Sequence, residues 1–255
     1  MSLASLKKHL FCAAAMMLAA GSSFAAGTLT MATEGTFPPF EFHDSKTNEL
    51  IGFELDLAKA AADKMGATLD IKEFKFDAIL PAIVSNTLDF AAAGFAVTPE
   101  RAKRVLFSDP FYMSGLTIIV PKGNPKGIKN FDDLKGLTTA NTISSTYAEI
   151  AEAHGAKVTG VDDLNQTFEL LLSGRIDATL NAEVTYHDYM RAHPDAQIKI
   201  AAVDPDVIPV AIPMKPGEDS ASMKAKLDEI IEGLRKTGEL GNLSRQFFGG
   251  DLTQR

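Results

Sequence analysis

Residues 90–115 read FAAAGFAVTPERAKRVLFSDPFYMSG, and this stretch decides how the rest of the chain is organised. It opens as a strand end of small residues, so that backbone or ligand can approach closely at Gly94. Thr98 is a good helix N-cap and Pro99 a good first helical residue, which places Arg101 in the first turn. A guanidinium beside the positive end of a helix matches a carboxylate with two hydrogen bonds. The stretch predicts a small-anion site, and an α-carboxylate is the obvious ligand group.

Arg101 also has a plainer interpretation. It could pair with Glu100 or Asp109 on a solvated surface, as many arginines on capped helices do. Whether Arg101 is a binding residue or part of a surface ion pair depends on the rest of the chain.

Composition places the chain among ordinary soluble globular proteins. It has 255 residues, of which 45% are hydrophobic and 23% are charged, and its net charge is −8. This length allows two lobes of roughly 100 residues each. The acidic balance argues against nucleic acid and anionic membrane surfaces as partners.

Residues 1–25 are predicted to be a cleaved secretory signal. Lys7 and Lys8 precede an apolar run over residues 10–20, and small residues follow at the positions that a signal peptidase reads. The run is shorter than the roughly 20 apolar residues that span a bilayer. Its removal would also remove Cys12, the single cysteine. We therefore expect a soluble, disulfide-free periplasmic protein.

Strand and helix patterns alternate along the remaining chain. We expect strands over 28–32, 69–72, 86–93, 117–120, 138–141, 175–181 and 198–203, and helices over 52–65, 76–84, 131–136, 147–154, 168–172, 223–234 and 243–248. This alternation predicts doubly wound, parallel α/β sheets, whose ligands bind beyond the carboxyl ends of the strands.

The composition shifts twice, and we interpret both shifts as crossings between lobes. The hinge crossings are expected near residues 115–120 and 204–210. The first lobe would comprise residues 26–114 and 207–255, and the second residues 115–206. Two α/β lobes joined by a two-segment hinge form a clamp that can close around a small ligand.

Six motifs occur in order: 34–40 (EGTFPPF), 52–57 (GFELDL), 98–101 (TPER), 107–112 (FSDPFY), 174–178 (GRIDA) and 238–249 (GELGNLSRQFFG). In this order they resemble the family 3 extracellular solute-binding proteins, the polar amino acid receptors of ABC importers. The resemblance covers essentially the whole chain after the signal. It implies the two-lobed periplasmic binding-protein fold, an amino acid ligand, a membrane permease as partner, and a monomer without cofactor or metal.

The resemblance also implies the residues of the site. The ligand's α-carboxylate would bind Arg101, assisted by the backbone at Gly94, Ala96 and Thr146. The expected ligand-binding residues are Glu34, Phe37, Phe76, Gly94, Phe95, Ala96, Thr98, Arg101, Thr142, Ser145, Thr146, Asn181 and Glu183.

The chain departs from the family pattern at Ala182. Many relatives have an Asp there that binds the α-ammonium, and a bound ammonium without an acid is costly unless another group compensates. Three replacements are open: Glu34, Glu183 and the Asn181 carbonyl. The loop 34–40 and the strand 177–181 are most similar to the cystine-type subgroup, in which an extra acid could meet a second ammonium. Cystine is therefore the leading candidate ligand.

Two other functions compete with transport. Some dehydratases that act on prephenate or arogenate resemble the same scaffold, and such an enzyme needs a general acid near the leaving hydroxyl. Glu34 and Glu183 are the only cleft acids available for that role. A sensor linked to a chemoreceptor is the second competitor. The histidines His43, His154, His187 and His193 are scattered along the chain and suggest no metal site.

Overall fold

The structure is a computed structural model that describes residues 27–254. The predicted signal over residues 1–25 lies outside the described residues. The strands are β1 (Thr28–Thr33), β2 (Thr36–Phe37), β3 (Glu41–His43), β4 (Leu50–Ile51), β5 (Thr68–Glu73), β6 (Phe90–Ala91), β7 (Leu106–Phe107), β8 (Tyr112–Pro121), β9 (Thr138–Thr142), β10 (Lys157–Val161), β11 (Thr179–Ala182), β12 (Ile198–Val210) and β13 (Pro213–Met214). The helices are α1 (Phe53–Met65), α2 (Phe76–Val84), α3 (Pro99–Ala102), α4 (Thr146–Ala153), α5 (Leu164–Leu172), α6 (Glu183–Ala192), α7 (Glu218–Thr237) and α8 (Glu239–Phe248), with a 3-10 turn at Phe131–Leu134.

The first lobe is built on a five-stranded sheet in the order β5-β1-β6-β13-β7. The pairs β1–β5 and β1–β6 are parallel, as the alternation of strands and helices predicts. β13 pairs antiparallel with both β6 and β7, because the chain re-enters this lobe from the second lobe. The sheet is therefore mixed rather than fully parallel, and its parallel half delivers residues 92–94 to the cleft.

The second lobe contains the parallel pair β10–β9 and the antiparallel sheet β11-β8-β12. A bridge between Thr139 and Ala178 connects the two. β11 begins at Thr179, later than the predicted start at residue 175, since the Asp177 carboxylate accepts hydrogen bonds from the backbone N–H and hydroxyl of Thr138, at 2.9 and 2.8 Å. Those bonds tie the chain before β11 to β9, and pairing with β8 starts only at Thr179.

Both predicted crossings lie in one long antiparallel ribbon made by β8 and β12. β12 continues to Val210, beyond the predicted end at residue 203, with a shift of register between Val203 and Val207. Residues 204–206 thus interrupt the pairing without ending the strand. An irregular stretch in an otherwise continuous ribbon is where a bend between lobes is easiest.

Other local predictions differ from the structure at the ends of elements. The strand predicted over 86–93 is limited to Phe90–Ala91, because Asn86 adopts a left-handed backbone (φ 60°) in a turn. α1 begins at Phe53, one residue after the predicted start, and nearly every side chain of its first turn is buried. Gly52 precedes it with φ 139°, and a Cβ there would collide with the Phe40 carbonyl.

Buried apolar side chains pack in clusters in both lobes. One cluster packs α1, α7 and α8 against β1 and β6 and also takes in Ala182 and Val184 from the second lobe, and another includes Ile79 and Ile83 of α2. The second lobe has its own clusters around β8, α4 and α5. Among the helices within residues 27–254, none is both long enough and apolar enough to cross a membrane.

Candidate ligand-binding site

A cavity lies between the two lobes. The first lobe contributes Glu34, Phe37, Phe76, Ala93 and Gly94, and the second Asn141, Thr142, Ser145, Thr146, Tyr147, Leu164, Thr167 and Asn181.

Arg101 is not one of the residues that line this cavity, but its guanidinium lies against the ring of Phe76, which does. The Thr98 hydroxyl accepts a hydrogen bond from the Arg101 backbone N–H at 3.2 Å, which caps α3 as the sequence predicts. The guanidinium donates to the Ala96 carbonyl at 3.1 Å and, across the cleft, to the Ser144 carbonyl at 2.9 Å. The side chain is only 7% exposed.

Two aromatic rings flank the Arg101 guanidinium, whose carbon lies 5.8 Å from the Phe76 centroid and 5.4 Å from the Phe95 centroid. The rings themselves stack at 4.7 Å. Burial lowers the pKa of Arg101, although arginine stays charged in proteins. Within residues 27–254, no carboxylate lies at ion-pair distance from it, so the surface pair with Glu100 or Asp109 is not formed. A buried, unpaired cation at a cavity is suited to an anionic ligand group.

Gly94 joins the cavity wall to a buried acid. Its backbone is left-handed (φ 64°), and a Cβ would lie 2.8 Å from the Phe37 ring. Its N–H donates to the Glu54 carboxylate at 2.9 Å. Glu54 is therefore a positioning residue that fixes the turn after β6, and glycine is required there for both conformation and space.

Three carboxyl groups lie close together on this side of the cavity. Burial raises the pKa of Glu34 to about 7, and the charges of Asp163 and Asp77 act in the same direction. Burial raises the pKa of Glu54 to about 7, against the effect of the Gly94 amide. Glu41 is fully buried, and burial followed by the charges of Glu54 and Glu34 raises its pKa well above the ordinary value.

The second-lobe wall is formed by the loop from β9 into α4. Ser145 caps α4 by accepting from the Ala148 N–H at 3.2 Å. Thr142, Ser145 and Thr146 place hydroxyls and backbone N–H groups beside the helix N-terminus, where an anion is favoured. Burial raises the pKa of Tyr147 to about 12, so its phenol is a neutral hydrogen-bonding group here.

The structure brings most of the expected site residues together. Those that line the cavity are Glu34, Phe37, Phe76, Gly94, Thr142, Ser145, Thr146 and Asn181. Phe95, Ala96 and Thr98 contact or cap Arg101 beside it rather than lining it. Glu183 lies apart from the lining, with a half-exposed side chain 3.6 Å from His187.

Sequence reasoning missed five lining residues: Ala93, Asn141, Tyr147, Leu164 and Thr167. Leu164 and Thr167 were missed because α5 was predicted to begin only at residue 168. Asp163 is the signal that could have found them, since its carboxylate caps α5 by accepting from the Gln166 N–H at 3.0 Å. Asn141 ends a predicted strand, the position from which side chains of an α/β sheet reach a ligand.

Two polar side-chain contacts bridge the cleft between the lobes. The first is the hydrogen bond from Arg101 to the Ser144 carbonyl. The second is an ion pair between Lys75 and Asp162, with 2.8 Å between Nζ and Oδ2. Within the described residues, no cluster of three or more His, Cys, Asp or Glu side chains is arranged to hold a metal ion.

Two α/β lobes around a cavity with a buried arginine define a two-lobed solute-binding protein. A family model for the bacterial extracellular solute-binding proteins, family 3, matches residues 29–250, and the chain belongs to that family. It is 37% identical over 227 residues to a probable amino-acid ABC transporter-binding protein of Haemophilus influenzae, a match that covers 89% of this chain and 87% of the relative.

Solved structures agree with the fold. An ancestral arginine-binding protein bound to arginine matches with a TM-score of 0.80 and 36% identity, over 88% of this chain and 99% of that one. The L-cystine solute receptor of Neisseria gonorrhoeae, in its unliganded open conformation, matches with a TM-score of 0.62 and 33% identity, over 92% and 98%. The closer overlap with the ligand-bound protein accords with the two contacts that bridge the cleft here.

Proposed function

We propose that this protein is the substrate-binding component of an ABC importer for a polar amino acid, and that it binds the ligand's α-carboxylate on Arg101. One observation carries the proposal. Arg101 is 7% exposed beside the interlobe cavity, against the lining residue Phe76, and within residues 27–254 it has no carboxylate partner. A buried cation is costly unless it is paired, and the ligand's carboxylate would supply the missing charge.

We further propose the arrangement of the clamp. The lobes would comprise residues 26–114 with 207–255, and residues 115–206, with the bend in the β8–β12 ribbon near 115–120 and 204–210. The protein would be exported by the signal at residues 1–25, act as a monomer in the periplasm, and deliver its ligand to a membrane permease.

Cystine remains the leading candidate ligand, because Glu34 is an acid in the cavity wall. A cystine molecule carries two ammonium groups, and one of them could pair with Glu34. With its pKa near 7, Glu34 is partly protonated at neutral pH. A nearby ammonium favours the ionised carboxylate, so binding should release a proton at about pH 6.5. Calorimetric titrations in buffers of different ionisation enthalpy measure that release.

A screen of ligands tests the proposal. Wild-type protein is heated with each of the standard amino acids and with cystine, and a ligand at 100 times its Kd should add about 2.7 kcal/mol of stability. We expect one or a few polar amino acids to raise the melting temperature, and Arg101→Met to abolish the rise. A screen in which no amino acid stabilises the wild-type protein would overturn the proposed function.

The dehydratase hypothesis has its own test. Glu34 is the only acidic residue among the described cavity-lining residues, and its raised pKa would suit a general acid. We propose that it binds ligand and performs no catalysis. Incubation with prephenate or arogenate should therefore give no product above the uncatalysed rate, and turnover that Glu34→Gln abolishes would contradict this.

A further inference from the structure

Asn141 is a cavity-lining residue whose side-chain amide is locked in one orientation. It lies in β9 and is 1% exposed. Its Nδ2 donates to the Leu180 carbonyl at 2.8 Å and to the Thr179 hydroxyl at 3.2 Å. The Thr179 hydroxyl donates its own proton to the Ala140 carbonyl at 2.8 Å, so it can only accept from Asn141. An exchanged amide would set its oxygen against the Leu180 carbonyl, which fixes the orientation.

The locked orientation leaves Asn141 Oδ1 as an acceptor without a donor. Within residues 27–254 this atom is buried and has no hydrogen-bond partner. A buried acceptor left unpaired is costly, and such atoms in native proteins usually meet a ligand, an ion or a water molecule. Because Asn141 lines the cavity, a hydrogen-bond donor of the ligand would satisfy it.

Asn181 and Glu183, two of the replacements considered for the acid absent at Ala182, already make other contacts. Asn181 Oδ1 accepts from the Ala182 N–H at 2.8 Å, and the Asn181 backbone carbonyl accepts from the Thr117 hydroxyl at 3.0 Å. Glu183 lies outside the cavity lining and faces His187. Among the described residues that line the cavity, Asn141 alone carries a buried side-chain atom without a hydrogen-bond partner.

We propose that Asn141 Oδ1 accepts a hydrogen bond from the ligand's α-amino group, which makes Asn141 a specificity-determining residue. This inference rests on the proposed function. Arg101 contacts the carbonyl of Ser144, which lies three residues beyond Asn141 in the loop that follows β9. A carboxylate at Arg101 and an amino group at Asn141 would therefore lie on the same side of the cavity, as two substituents of one α-carbon require.

The test compares Asn141→Leu with a matched control on the same strand. Thr139 is fully buried and its hydroxyl also lacks a partner within the described residues, but it does not line the cavity. Thr139→Val therefore reproduces the loss of a buried polar atom in β9 without touching the ligand. Affinities are measured calorimetrically for L-cystine and L-arginine, and for the analogue of each in which hydrogen replaces every α-amino group.

We expect Asn141→Leu to weaken binding of the amino acid by about tenfold or more, and to change binding of its desamino analogue by less than about twofold. Thr139→Val should leave both affinities unchanged. If Asn141→Leu does not fold, Asn141→Ala removes the same oxygen without adding a branched side chain, and the same ratio is expected. Equal losses for the amino acid and the analogue, or no loss at all, would overturn the inference while leaving the proposed function intact. Failure of the wild-type protein to bind any amino acid would overturn both.

Discussion

Replacing Arg101 with methionine separates binding from folding. Methionine keeps much of the side-chain volume between Phe76 and Phe95 but removes the cation that we assign to the ligand's carboxylate. Loss of one partner of a buried, hydrogen-bonded charge pair costs about 2–5 kcal/mol of binding free energy. At 1.4 kcal/mol for each factor of ten, the Kd should rise by between about 30-fold and several thousand-fold.

Stability of the unliganded protein should change far less than affinity. Arg101→Met removes hydrogen bonds to the Ala96 and Ser144 carbonyls, each worth about 1.5–3 kcal/mol when the donor is charged. It also removes the cost of burying an unpaired guanidinium, which is of comparable size and opposite sign. We therefore expect the free energy of unfolding without ligand to move by no more than about 2 kcal/mol.

Isothermal titration and denaturant unfolding on the same preparations measure these two quantities. Arg104→Met is the matched control, because Arg104 is exposed and three residues further along the chain. It should bind ligand as the wild type does. Arg101→Lys should be intermediate, since an ammonium keeps the charge but loses the two-pronged geometry. An Arg101→Met protein that folds and binds within threefold of wild type would refute the reasoning.

Four further results are expected. If Glu34 pairs with an ammonium of cystine, Glu34→Gln should weaken cystine binding by several kcal/mol, whereas Glu183→Gln should change the binding free energy by less than about 1 kcal/mol. Ala182→Asp should tighten cystine binding. Calorimetric titration of the three variants checks these expectations. Gly94→Ala should lower both melting temperature and affinity, because the new Cβ meets the Phe37 ring 2.8 Å away in a left-handed backbone, and a wild-type affinity would contradict it. The pKa of Glu54 is about 7 in the folded protein against an ordinary 4.5, so its contribution to stability is full below about pH 4.5 and is lost as the pH rises through 7. In thermal unfolding from pH 5 to 8, Glu54→Gln should therefore lose less stability than the wild type. An unchanged dependence of stability on pH would count against the assignment. Small-angle scattering should show a smaller radius of gyration when ligand closes the cleft, and identical profiles with and without saturating ligand would argue against the clamp.

Much of the fold could be predicted because the relevant signals are local. The Thr98 and Pro99 pattern at α3, the periodicity of α2 and the glycine stop after α1 each depend on a few neighbouring residues, and the structure confirms them. The mixed parallel and antiparallel pairing of the first-lobe sheet could not be predicted from such local signals. Two-residue strands such as β7 and β13 carry no periodicity, and their pairing depends on how the chain returns from the second lobe.

The residues of the candidate site likewise differ in whether local sequence predicts them. Arg101 was predictable, because the adjacent residues Thr98 and Pro99 indicate the helix cap and place Arg101 in the first turn. Asn141 was not, since its importance comes from Thr179 and Leu180, 38 and 39 residues away, which fix the amide and leave one oxygen unpaired. The acid cluster of Glu34, Glu41 and Glu54 likewise forms only when the loop after β1, β3 and the start of α1 pack together.

A crystal structure of the protein with the tightest amino acid from the screen tests the central claim most directly. The account predicts an amino acid in the cavity between the lobes, with both carboxylate oxygens within about 3.2 Å of the Arg101 guanidinium nitrogens. A ligand that lies in this cavity with its carboxylate away from Arg101, or that binds outside the cavity, would contradict it.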